Sequence, residues 1–126
     1  MEDIKNKIPE GQEQEYEEAV KEAEQDQVVT FEHTLRKPLM YNNQEYKTLH
    51  FNFENLSGED SLNVEAELEA QGIMVMVPTF SGQYLIRVAA KACLEHIGVD
   101  GFKKISIKDY NRIRSRTRNF FISSEQ

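Results

Sequence analysis

Three histidines, one cysteine and a run of arginines are the residues of this 126-residue chain whose types could carry chemistry. His33, His50 and His96 lie far apart, and none has a second ligand at the spacing metal sites use, so no metal is expected. His33 falls on the apolar face of a strand pattern, where a hydrogen-bonded core histidine is the expectation. Cys93 and His96 stand three apart and would share a helical face, the arrangement a thiolate–imidazole nucleophile needs. A reactive thiolate also needs an exposed, electropositive setting. Cys93 sits instead among Ala89, Ala90, Ala92 and Leu94, an apolar surface where a free cysteine is core. Glu65, Glu67 and Glu69 read as helix-surface carboxylates with no pocket around them. The six glycines are mostly turn and cap candidates, and no phosphate-cradling loop is present. No catalytic constellation emerges, and the expectation is a non-enzymatic protein without a cofactor.

Arg112, Arg114, Arg116 and Arg118 could meet phosphates, with counterion release driving the binding. The charge balance argues against it. The chain carries a net −7, all of which lies in residues 1–30, where ten acids face three lysines. Residues 101–126 are locally +5. An acidic arm and a basic end on one short chain suit self-shielding or partner steering, or are two solvated faces. Tyr110, Phe120 and Phe121 fall on the apolar side of the same helix, as core residues and not as stacking platforms for bases. Nucleic acid is therefore disfavoured as a partner.

These residues must be positioned by a modest fold. At 39% hydrophobic and 29% charged residues, the composition allows one domain plus a tail. No run approaches the ~18 apolar residues of a membrane helix, and Met1-Glu2-Asp3-Ile4 lacks the basic start of a secretory signal. A single cysteine excludes an internal disulfide and fits a reducing, cytoplasmic setting.

Residues 1–27 read as an acidic arm, disordered or helical only when docked, with Tyr16, Val20 and Ala23 as a thin apolar stripe. The period changes at residue 28. Val29, Phe31 and Leu35 alternate with polar residues, as do Leu49, Phe51 and Phe53, and Asn42-Asn43 between them suits a tight turn. This predicts a β-hairpin with Pro38 on an edge strand, and a lone hairpin must lie on helices to be stable.

Ser57-Gly58-Glu59-Asp60 and Ser106-Ile107-Lys108-Asp109 have the form of helix starts. Gly72 and Gly98 suit left-handed helix ends. The first helix spreads Leu62, Val64, Ala66 and Leu68 over a broad arc. Ile73 to Val77 is apolar, a short buried strand or an extended connector. A helix from about Phe80 to Ile97 confines its polar residues to Gln83, Arg87, Lys91 and Glu95, so most of its circumference is expected to be buried. Part of that surface could await another chain. The last helix aligns Ile107, Tyr110, Ile113, Thr117, Phe120 and Phe121 on one face, with Lys108, Arg112 and Arg116 opposite.

The order of these elements resembles the tail assembly chaperones of contractile-tailed phages and prophages. The resemblance covers about residues 28–122. It is carried by the hairpin leading into Phe53-Glu54-Asn55-Leu56-Ser57-Gly58, by Leu85 with Ala89-Ala90 and Cys93, by Ile105 with Asp109-Tyr110, and by Asn119-Phe120-Phe121. The motifs are loose, and their order and spacing carry the likeness. The long acidic arm and the basic last helix depart from the pattern. The resemblance implies a protein that binds the long, largely helical tape measure protein, keeps it soluble while the tail tube assembles, and leaves before the tail is finished.

The expected fold is therefore α+β: a β-hairpin on about three α-helices over residues 28–122, preceded by the acidic arm and followed by a tail at 123–126. The expected partner is the tape measure protein in the cytoplasm of a bacterial host, with possible homo-oligomerisation and no membrane. Contact is expected at Met74, Met76, Tyr84, Val88, Arg112 and Arg116. A nucleic-acid-binding or regulatory module using the basic helix is the second reading, and a permanent virion component the third.

Overall fold

The computed structural model of the chain describes residues 13–25 and 29–124. Two strands, β1 (Thr30–Tyr41) and β2 (Gln44–Asn52), pair antiparallel, and the helices are α1 (Glu13–Gln25), α2 (Gly58–Ala70), α3 (Gly82–Ala92), α4 (Val99–Phe102) and α5 (Ile107–Ser124). The fold is α+β, a hairpin laid on a helical layer. Residues 1–12 and 26–28 of the acidic arm, and the end of the expected tail, lie outside the described residues. Within the arm, α1 packs on α5, with Ala19 buried against Ile122.

The hairpin forms where alternation and turn chemistry agree. Asn42 and Asn43 both adopt positive φ, 50° and 64°, the backbone of a two-residue turn matched to strand twist. The register shifts between Thr34 and Leu39, so that four residues of β1 face one of β2. Pro38 lies in this bulge, where its missing N–H breaks no ladder bond. Leu35, Leu39, Leu49 and Phe51 remain on the inner face and pack on Ile86 and Ala89 of α3, with Phe102 and Ile113 completing the core.

Ser57 and Asp60 form the expected capping box at the start of α2. Gly72, with φ +72°, ends the helix in the left-handed conformation: its N–H donates to Glu69 O at 3.0 Å, and that of Ile73 to Leu68 O at 2.9 Å. Ser106 Oγ likewise accepts from Asp109 N–H at the start of α5. Val64 and Leu68 of α2 bury against Leu85 and Val88 of α3.

Four expectations are corrected. The central helix stops at Ala92, short of Ile97: Cys93 turns extended to bridge Phe51, and Leu94 N–H donates to His50 O at 2.8 Å. The chain end of the helix is thereby captured by the outer edge of β2. Gly98 is not a left-handed cap; His96 takes the positive φ, 59°, and Gly98 opens α4, where Tyr41 and Asp100 crowd against it. Arg87, placed with the polar stripe, is drawn into the interior: it is 4% exposed, donating to Gln83 O, Gln83 Oε1 and Gln71 Oε1. Ile107 is 74% exposed, because Asp109, two positions on and facing the opposite way, takes the inward place beside β1. Among the described residues, no helix is long and apolar enough to cross a membrane.

Candidate functional site

An apolar opening lies where α2 ends. The left-handed turn at Gly72 reverses the chain, and residues 73–77 run back across α2 and α3 as an extended connector, the second of the two expected forms. Period-2 geometry then sorts the side chains. Ile73 and Val75 pack inward against the α2–α3 core, while Met74 and Met76 are 87% and 79% exposed. Between connector and helix is an open groove of about 410 Å³. Leu68, Ile73, Val75 and Pro78 wall it, Tyr84 lies at its floor, and Glu65 and Glu69 stand at its rim. Leu62 is 65% exposed, and helical spacing puts it on the stripe of Glu65 and Glu69.

The groove is held from below. Tyr84 shares a hydrogen bond with Ser61 across the α2–α3 interface, at 2.6 Å. The Arg87 guanidinium reaches Gln71 from α3 and lies 3.6 Å from Glu67, fixing the last turn of α2. The walls are thus formed by the fold itself.

Of the residues expected to make partner contact, Met74 and Tyr84 line this groove, and Met76 is exposed in the same connector. Val88 is 3% exposed in the core between α2 and α3, so its place as a contact residue is corrected to core. Tyr84 is corrected in part: it lines the groove, but at 4% exposed it offers a partner little surface. Arg112 is exposed on α5, outside the groove lining. Arg116 does not lie opposite the apolar face as expected; it is half-buried, its guanidinium 5.6 Å from the Phe31 ring centroid. Glu65 and Glu69, expected as helix-surface carboxylates with no pocket around them, are corrected to the rim of this groove, and Leu62 is exposed outside its lining. A signal was present, since three acids crowd the C-terminal half of α2, where the helix dipole favours cations.

The titratable groups elsewhere serve the fold. His33 Nε2 donates to Asp109 Oδ1 at 2.8 Å, joining hairpin and α5, in line with the expected hydrogen-bonded histidine. Burial pushes the Asp109 carboxyl up, but hydrogen bonds from His33, Ser106 and the Arg36 N–H outweigh it and hold it below the usual range. His50 is raised by its hydrogen bond to Glu95, and it also approaches Glu32 at 3.3 Å. For Glu95 burial acts upward, and the His50 backbone and side-chain hydrogen bonds bring it below its ordinary value.

Burial raises the Cys93 thiol to about 11, so its nucleophilic thiolate is scarce at neutral pH. His96, the conceivable base, lies beyond the end of α3 in the left-handed conformation, and Cys93 Sγ hydrogen-bonds instead to Glu95 Oε1 at 3.7 Å. No group of three or more His, Cys, Asp or Glu side chains among the described residues could hold a metal ion. Comparison with protein-family models, curated proteins and solved structures finds no match to this chain.

Proposed function

We propose that this chain is a phage or prophage tail assembly chaperone that holds an apolar stretch of the tape measure protein in the α2–connector groove while the tail tube forms. One observation carries the reading. A preformed apolar groove opens on a small domain, flanked by Met74 and Met76, and methionine side chains adapt to varied apolar clients. Exposed apolar patches of this kind mark interaction sites. The resemblance in element order over residues 28–122 supplies the identity of the client. The arginines of α5 favour this reading over nucleic acid, because several are engaged in the fold: Arg114 donates to Phe80 O at 2.9 Å and Arg116 lies by Phe31.

Co-expression with the long helical tape measure protein tests the proposal. The client is expected to become soluble and to co-purify with this chain. Met74→Ser with Met76→Ser should abolish co-purification while leaving thermal unfolding unchanged, since both side chains are exposed. A client that stays insoluble beside abundant, folded chaperone would refute it. Val88→Asp is the wrong probe, because a charge in this core unfolds the domain.

A further inference from the structure

We propose that the α2–connector groove selects a helical segment whose apolar anchors are flanked by lysine or arginine, an inference resting on the groove being the client site. An apolar cavity of about 150 Å³ holds a benzene ring, so a groove of about 410 Å³ takes two or three side chains offered from one side. A helix presents such a set at i and i+4, the usual form of helix-in-groove recognition.

The charge specificity comes from Glu65 and Glu69. Both are exposed at the rim, and among the described residues neither carboxylate makes a hydrogen bond or ion pair. Their placement is costly to the helix on two counts. They are like charges four apart, and they occupy the C-terminal half of α2, whose last turn has no base to complement the dipole. The groove lining contains no Lys, Arg or His, and Glu59, Asp60 and Glu67 add to the negative field of α2. Glu67 is accounted for by Arg87. Glu65 and Glu69 are left with no role in the fold, and they face the opening that a partner would enter.

The test uses the full chain and amphipathic helical peptides of about 18 residues, with leucines at i, i+3, i+4 and i+7 and either Lys or Glu beside them. Isothermal titration at low salt should show the Lys peptide binding at least tenfold more tightly, with the preference shrinking as salt is added. Glu65→Lys with Glu69→Lys should reverse the order while thermal stability is unchanged or higher, which damage to the fold cannot mimic. Leu62→Ser should weaken both peptides. Equal binding of the two peptides, no binding of either, or an unreversed order in the double variant would overturn the inference. If the tape measure protein still co-purifies in that event, the function stands and only the charge rule falls. If the peptides reverse but the tape measure protein is never held, the groove is real and the proposed client is wrong.

Discussion

Replacing Asp109 should separate the hairpin from the helical layer more effectively than any surface change. Its carboxylate is 1% exposed and accepts from His33 Nε2 and Ser106 Oγ, each at 2.8 Å, and from the Arg36 N–H at 3.1 and 3.2 Å. The Arg36 N–H is available because it lies in the bulge, away from the ladder pairing. Hydrogen bonds to an ionised group contribute about 1.5–3 kcal/mol each. His33 and Arg36 are partly open to water, which recovers some of the loss. With the weakened cap of α5, worth about 1 kcal/mol, Asp109→Ala should cost ~3–4 kcal/mol, against a total stability on the order of 10 kcal/mol.

In urea the unfolding midpoint, followed by far-UV circular dichroism at pH 7, should fall by roughly 1.5–2 M. Asp109→Asn keeps an acceptor oxygen and should cost about half as much. The pH dependence has a definite sign. A carboxyl whose folded pKa is depressed contributes stability above its unfolded value near ~3.9, and loses it as pH falls through the folded value. The gap between wild type and Asp109→Asn should therefore be constant from neutrality to about pH 5 and close below about pH 4. An alanine variant within about 0.5 kcal/mol of wild type, or a gap independent of pH, would refute the assigned role.

Three further outcomes can be checked simply. With its thiol raised to about 11, Cys93 should react with iodoacetamide at pH 8 roughly a hundredfold more slowly than a free cysteine, and at the normal rate once unfolded in urea. Gly72→Ala should cost about 1 kcal/mol because φ +72° penalises a Cβ even in open space, whereas Gly72→Asn should cost less; equal losses would point to packing. Proton NMR should find His50 titrating above its ordinary value, and Glu95→Gln should bring the midpoint down, since the Glu95 hydrogen bond is the largest cause of the shift. Any stability from that pair is present below the unfolded histidine value and fades as pH rises through the folded one.

The sequence alone determined the local elements whose signals are short-range. Alternation and Asn42-Asn43 specify the hairpin, Ser57 with Asp60 and Ser106 with Asp109 specify two helix starts, and Gly72 specifies a helix end. Each depends on backbone sterics or on partners within about four residues, so each is written where it acts. Only the tertiary structure decided what long-range contacts overrode. The edge of β2 took Cys93 and Leu94 out of the central helix, and the end of α2 drew Arg87 inward to Gln71. Packing of α2 on α3 turned Val88 into core and left Leu62, Glu65 and Glu69 outside. The groove belongs to this second group: the apolar run from Ile73 to Val77 was legible, with Met74 and Met76 as expected contacts, but a concavity exists only once two segments meet. Helical periodicity shows which residues share a face; it does not show which faces find each other.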